Sequence, residues 1–274
     1  MDKLFCGTNV IDLSTPVVMG ILNLTPDSFF DGGNYPDIDA RIKQVGKMLG
    51  EGASIIDLGA VSTRPGADDV DEAAEISRLV PTLKAVLQHF PGCTVSVDTF
   101  RPAVARAAVE NGAGMINDIY GGRFDQSMLQ TVASLNVPYI LMHMKGSPAR
   151  MQDHPDYADV VAEVSYFFEQ QVSKCRAAGI RQVIRDPGFG FGKTIEQNFS
   201  LLSHLEEFTS PETPLLVGIS RKSMIYRHLD IQPSESLNGT TALHAIALLK
   251  GADILRVHDV KQAVEAIRLV RMLD

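Results

Sequence analysis

Carboxylates, amides and cations recur in this chain at the ends of short apolar runs, where a strand would hand them to a loop. The densest example is the stretch 183–193, VIRDPGFGFGK. β-Branched residues run into Asp186, Pro187 stops the strand, and Gly188, Gly190 and Gly192 alternate with Phe189 and Phe191 before Lys193. The glycines permit close backbone approach and the phenylalanines supply flat apolar walls beside the carboxylate, a setting for a flat ring with a polar edge. Taken alone, the same residues also describe a turn before a helix, with Asp186 as its cap.

Asn23, Asp57, Asp98, Asn117, His143, Lys222, Arg256 and His258 stand at other such ends, and Thr63 and Arg64 lie in the loop STRPG. A buried polar group without a partner costs about 2–7 kcal/mol, so a convergent set of this size needs either mutual pairing or a ligand. Asp98, Asn117, Asp186 and Lys222 together offer acceptors, an amide and a cation, which can read the N–H and carbonyl edge of an aminopyrimidinone. The competing reading is a salt-bridged core with Lys222 paired to Asp186 or Asp98. Thr63, Arg64, Arg256 and His258 suit phosphate oxygens, since arginine forks match them in geometry and charge. Arg64 alone would read as a solvated loop residue. Asn23, with Asp27 four residues on, could give Mg²⁺ a neutral oxygen beside pyrophosphate oxygens and waters, although the spacing by itself describes a turn cap. His143 and Met142 read as wall, and His154, His204 and His228 as surface.

Eight apolar runs must position these groups: 17–24, 53–59, 94–99, 114–119, 138–144, the stretch already quoted, 214–220 and 254–258. Helical patterns follow each. One repeats Ile76, Leu79, Val80, Leu83, Val86 and Leu87 at three- and four-residue steps, and another begins at Pro102, a residue suited to a first helical turn. Alternating strands and helices predict a parallel sheet covered by helices, and eight units in 274 residues predict a closed α/β (β/α)8 TIM barrel in a single domain, residues 1–274. An open doubly wound sheet is disfavoured because only a closed ring brings so many polar strand ends together.

With 45% hydrophobic residues and 21% charged ones, the chain has the composition of a globular protein. A net charge of −8 argues against broad nucleic-acid or anionic-membrane surfaces and leaves room only for a small convergent anion site. The three cysteines show no CxxC spacing, which fits a reducing cytoplasm better than a disulfide framework or zinc site. The first 13 residues lack the pattern of a signal peptide, and no run of about 18 apolar residues occurs.

The segments MGILNLTPDSFFDGG (19–33), STRPGA (62–67), SVDT (96–99), NDI (117–119), LMHM (141–144), DPGFGFGK (186–193), GISRKSM (218–224) and RVHD (256–259) resemble, in order and across nearly the whole chain, the dihydropteroate synthases of the folate pathway. The resemblance implies a barrel that joins 6-hydroxymethyl-7,8-dihydropterin pyrophosphate to p-aminobenzoate, uses Mg²⁺ and forms a homodimer. By position it assigns Asp98, Asn117, Asp186 and Lys222 to the pterin, with Ile119, Met142 and Gly218 lining its slot and Arg256 stacked on the ring facing phosphate. Asn23, Thr63, Arg64 and His258 fall at the pyrophosphate and metal positions, Asn23 being the metal ligand. Pro26, Thr63, Phe191, Lys222 and Ser223 fall where p-aminobenzoate is held. Asp98, Lys222, Arg256, His258 and Arg64 are thereby the expected catalytic groups.

Three positions depart from the family pattern. Val61 replaces an acidic residue before the Ser-Thr-Arg-Pro motif, Tyr120 occupies a variable position, and Arg185 replaces an apolar residue. Strand alternation points Arg185 away from the pterin, toward the helices, where it needs a partner. Two rivals share the pterin readers: a methyltetrahydrofolate corrinoid methyltransferase, which needs no pyrophosphate clamp, and a non-catalytic pterin-binding paralogue.

Overall fold

In a strand, side chains at i and i+2 share a face, so a barrel strand must satisfy an interior and an outer helix layer in alternation. The computed structural model describes residues 1–24, 38–59, 71–146 and 155–273. A hairpin of β1 (Lys3–Cys6) and β2 (Asn9–Asp12) leads into β3 (Val17–Asn23) and α1 (Ile38–Gly50). Then follow β4 (Ile55–Gly59), α2 (Glu72–His89), β5 (Thr94–Asp98), α3 (Pro102–Glu110), β6 (Met115–Asp118) and α4 (Met128–Leu135). Next come β7 (Tyr139–Met142), α5 (Val160–Ala178), β8 (Val183–Asp186) and α6 (Ile195–Ser203). The chain ends with β9 (Leu216–Val217), a short α7 (Ser223–Tyr226), α8 (Leu237–Leu249), β10 (Ile254–Val257) and α9 (Val260–Val270).

Strands β3 to β10 form one parallel sheet in the order β8-β7-β6-β5-β4-β3-β10-β9. The ring closes where Arg185 of β8 bridges Leu215 at the entry to β9, the Arg185 amide donating to the Pro214 carbonyl at 2.8 Å. The predicted eightfold barrel is therefore the observed one. Helix ends follow local chemistry: Asp71 caps α2 by accepting from Ala74 N at 2.8 Å, Thr194 and Gln197 form a reciprocal capping box on α6, and Pro102 opens α3. Among the described residues no helix is long and apolar enough to cross a membrane.

Two layers fill the barrel interior. Met19, Ile55, Met115, Ile140, Ile184, Leu216 and Ile254, one from each of seven strands, are fully buried and pack together as a floor. Two residues further along β4, β6, β8 and β10 come Asp57, Asn117, Asp186 and Arg256. Alternation thus sets polar groups directly above the apolar floor, at the C-terminal end of the barrel. The outward positions, such as Ile56, Val97, Ile116 and Leu255, pack against helix residues such as Leu79, Leu83 and Val86 of α2.

The N-terminal hairpin is absent from the sequence-based expectation. Its Leu4, Cys6 and Ile11, with Leu13 beyond, join the floor residues from below and stop the barrel at that end. Gln182, just before β8, fastens it by accepting from Phe5 N at 2.7 Å and donating to Phe5 O at 3.1 Å.

Candidate active site at the barrel mouth

Asp57 is fully buried, and its Oδ2 accepts from Arg256 Nε at 2.7 Å and from Asn117 Nδ2 at 3.1 Å. Arg256 reaches on to Asp98 Oδ2 at 3.3 Å, so one guanidinium bridges carboxylates from β4 and β5. Burial works against the Arg256 charge, yet Asp57 and Asp98 together push its pKa above the ordinary arginine value. Burial raises Asp98 to about 7; repulsion from Asp57, Asp118 and Glu75 adds to the rise, and Arg256 opposes it. Asp57 Oδ1 and Asn117 Oδ1 are buried acceptors without a hydrogen-bond partner among the described residues. Unpaired acceptors of this kind are the sort a ligand N–H satisfies.

The glycine-rich segment after β8 forms the adjoining wall. Gly188 N donates to Asp186 Oδ1 at 2.7 Å, turning the chain back over the buried carboxylate, whose pKa burial raises. Gly188 has φ +69°, and a Cβ there would stand 1.9 Å from the His143 carbonyl, so only glycine fits. Lys193, 2% exposed, donates to the carbonyls of Gly188 (2.9 Å), Phe191 (3.0 Å) and His143 (3.4 Å). Burial drives its pKa well below the usual lysine value. Lys222 donates to the Phe189 carbonyl and lies 4.6 Å from the centroid of the Phe191 ring; burial lowers its pKa to about 8, against the pull of Asp186. Gly218 borders the same space, its Cβ direction leading to Arg256 Cβ and Lys222 Nζ, each at 3.9 Å. Ile119 and Met142 belong to a buried cluster with Phe100 and Met144, against which Phe191 packs.

At the rim, His258 N donates to Ser220 Oγ at 3.2 Å. His258 is exposed at this rim, and lost hydration together with repulsion from Arg256 lowers its pKa to about 4. Arg221, in the left-handed region at φ 54°, forms a bidentate pair with Asp259, both bonds 2.7 Å, joining the turn after β9 to the end of β10. Lys222 is the N-cap of α7 and Ser223 its first residue. Asn23 Oδ1 lies over Gly59, 3.4 Å from where a Cβ would be, at the same level of the barrel as Asp98, which Gly59 faces in register. Among the described residues no group of three or more His, Cys, Asp or Glu side chains could hold a metal by itself.

Asn23, Asp98, Asn117, Ile119, Met142, Asp186, Phe191, Gly218, Lys222, Ser223, Arg256 and His258 therefore all belong to the mouth of one barrel. Pro26, Thr63 and Arg64, with Asp27 and Val61, lie outside the described residues. The competing reading, a core in which Lys222 pairs with Asp186 or Asp98, is not the hydrogen bond observed, because the Phe189 carbonyl takes its ammonium. His143 is buried wall as expected, with a pKa lowered by burial to about 2. Arg185 does point to the helix layer, donating to Phe208 O at 3.2 Å with its guanidinium 5.7 Å from the Phe168 ring centroid.

Sequence reasoning missed four supports. Asp57 ends an apolar run, and nothing in the sequence around it assigns it a role. Lys193 closes the glycine-rich segment, and nothing in its local sequence marks it as buried. Glu75 is fully buried against Thr99 and Arg101. Arg41 donates from α1 to Thr82 Oγ1 at 2.6 Å and to Leu24 O at 3.3 Å, anchoring the exit from β3. Only Glu75 left a signal, since its helical pattern puts it one residue before the apolar Ile76 and on the face of Leu79. A cavity of about 360 Å³, lined by Ser14, Thr15, Ser54, Arg268 and Arg271 among others, opens at the opposite end of the barrel and shares none of the convergent residues.

Residues 19–258 match the family described as pterin binding enzyme. The chain is 47% identical over 270 residues to dihydropteroate synthase of Escherichia coli (strain K12), covering 98% of this chain and 95% of that one. It is 44% identical over 269 residues to the same enzyme of Haemophilus influenzae, covering 97% of each. Among solved structures, Yersinia pestis dihydropteroate synthase with a sulfonamide drug complex superimposes with a TM-score of 0.93 at 44% identity, covering 99% of this chain and 98% of that one. The Xanthomonas albilineans enzyme in complex with 7,8-dihydropteroate gives 0.88 at 38% identity, with 99% and 98% covered.

Proposed function

This chain belongs to the pterin binding enzyme family, among its dihydropteroate synthases, and on that premise we propose how its residues divide the work. The reaction is a transfer: p-aminobenzoate displaces pyrophosphate from 6-hydroxymethyl-7,8-dihydropterin pyrophosphate to give 7,8-dihydropteroate. The observation that carries the assignment of roles is the polar layer above the apolar floor, in which Asp57 and Asn117 keep buried acceptors without hydrogen-bond partners among the described residues.

The pterin enters with its N–H edge toward Asn117, Asp186 and Asp98 and its carbonyl toward Lys222, while Ile119, Met142 and Gly218 line its faces and Arg256 covers the ring. The C–O bond at the exocyclic carbon breaks first, and its electron pair leaves with pyrophosphate. The ring carries the resulting cation, which the Asp98 carboxylate stabilises at short range in a poorly hydrated setting. Arg64, Arg256, His258 and Thr63 bind the departing pyrophosphate. The amine of p-aminobenzoate, held by Pro26, Thr63, Phe191, Lys222 and Ser223, then attacks the carbon and loses a proton to solvent. No covalent enzyme intermediate is needed.

Mg²⁺ fits this arrangement through Asn23, a neutral oxygen donor at the mouth, because a hard ion that keeps its waters and substrate oxygens needs few protein ligands. When bound it supplies charge neutralisation at the pyrophosphate. A homodimer is supported by α8 and α9, which leave Ile246, Leu249 and Leu269 at 40%, 61% and 72% exposure. A reducing cytoplasm is supported by Cys6, Cys93 and Cys175, each buried and free, with burial raising their thiols.

The decisive experiment follows radiolabelled p-aminobenzoate into dihydropteroate with and without Mg²⁺. Product that depends on both substrates and on the metal is expected. Pterin binding without product would instead favour a non-catalytic pterin-binding protein.

A further inference from the structure

We propose that Glu75 of α2 is a positioning residue for Asp98, holding the turn that leaves β5 so that the pterin-facing carboxylate keeps its direction. The inference rests on the reading of Asp98 given above. Asp98 ends β5, and the turn beyond it is held by polar contacts at Thr99 and Arg101, while Phe100 between them packs against Tyr120 and Phe124. Thr99 N donates to Asn117 O at 2.9 Å, tying the turn to the neighbouring strand. The Thr99 hydroxyl donates to Glu75 Oε1 at 2.8 Å and accepts from Arg101 N at 3.3 Å. Arg101 NH1 donates to Glu75 Oε2 at 2.7 Å. One carboxylate therefore grips the turn at two points, 24 and 26 residues away in sequence.

Glu75 is 0% exposed, and a buried carboxylate is costly to a fold that could have used an amide or an apolar pair in its place. Its charge also reaches the site. The charged groups that act on Asp98 include Arg256 from β10, Asp57 from β4, Asp118 from β6, Glu75 from α2 and Lys222 from the turn after β9. Three of these are like charges, so removing one eases ionisation of Asp98. Glu75 does not touch the pterin-facing groups directly; it acts through Thr99 and Arg101 and through its field.

The test compares Glu75→Gln, Glu75→Asp, Thr99→Val and Thr99→Ser with the wild-type enzyme by steady-state kinetics across pH. Glu75→Gln is expected to lower kcat about ten- to hundredfold, the scale of a small misplacement of a reacting group, with the KM for p-aminobenzoate unchanged. The acidic limb of its kcat/KM profile is expected to move to lower pH. Glu75→Asp keeps the charge and should leave the limb in place while kcat falls. Thr99→Ser keeps the hydroxyl and should restore most of the activity that Thr99→Val loses. A purely structural role would lower the folded fraction and leave the limb and the kcat of the folded enzyme alone. Folded Glu75→Gln with wild-type kcat and limb would overturn the proposal. If Glu75→Gln does not fold, the threonine pair decides: equal kcat in Thr99→Val and Thr99→Ser overturns it, and a deficit confined to Thr99→Val supports it. A wild-type enzyme that makes no dihydropteroate would instead sink the functional reading, which separates the two failures.

Discussion

At Asp98, three carboxylates and one guanidinium compete over a single proton: Asp57, Asp118 and Glu75 favour keeping it, and Arg256 favours its release. In the proposed mechanism the ionised carboxyl stabilises a pterin cation, so kcat/KM should climb as pH rises through about 7 and fall again as Lys222, lowered to about 8, loses its proton. Asp98→Asn should cost roughly a hundredfold in kcat, the scale of removing one preorganised charge-stabilising group, and should erase the acidic limb. Retention of that limb in Asp98→Asn would assign it to another group. The same residue has a stability signature of opposite appearance. Its folded pKa lies above the ordinary 3.8, so the folded state binds more protons in between, and its contribution is largest below 3.8 and is lost as pH rises toward about 7. Urea titrations from pH 4 to 7 should therefore show Asp98→Asn gaining stability relative to wild type as pH rises.

The segment from Asp186 to Lys193 works as one element. Gly188 turns back over Asp186, Lys193 gathers three carbonyls from beneath, and Phe191 is left facing Lys222. Gly192 repeats the constraint seen at Gly188, with φ +64° and a Cβ position 2.2 Å from the Lys145 carbonyl. Gly188→Ala should lower the unfolding free energy by about 3 kcal/mol or more, because both the backbone region and the contact with His143 O forbid a side chain. Chemical denaturation measures this directly, and a loss below about 1 kcal/mol, the range of a tolerated glycine change, would mean the turn has another conformation. This element was legible in the sequence because glycine, proline and aromatic residues constrain their own neighbourhood. The triple grip of Lys193 was not, since its partners include the His143 carbonyl just past β7.

For the whole molecule, the barrel depends on a plug that its own eight units do not contain. Leu4, fully buried against the floor residues, belongs to the N-terminal hairpin. Leu4→Asp should destabilise the protein by about 3 kcal/mol or more, as an unpaired charge buried in apolar surroundings, and a thermal melt near the wild-type Tm would show the hairpin to be dispensable. At the other face of the molecule, Leu249→Glu combined with Ile246→Glu should convert a dimer into a monomer in sedimentation equilibrium. A wild-type protein that sediments as a monomer would remove the role proposed for that surface. The sequence by itself determined the eight strand–helix units, their closure into a ring and, among the described residues, the polar groups delivered to its mouth. It could do so because apolar periodicity and turn residues act locally and one-directional chain reversal leaves few topologies. Only the tertiary structure decided that Arg256 bridges Asp57 and Asp98, that Phe189 rather than an acid takes the Lys222 ammonium, that Glu75 braces β5 and that the hairpin seals the floor. Each of these joins groups far apart in the chain, and their pairing is chosen by which buried charges and carbonyls come within reach once the ring has closed.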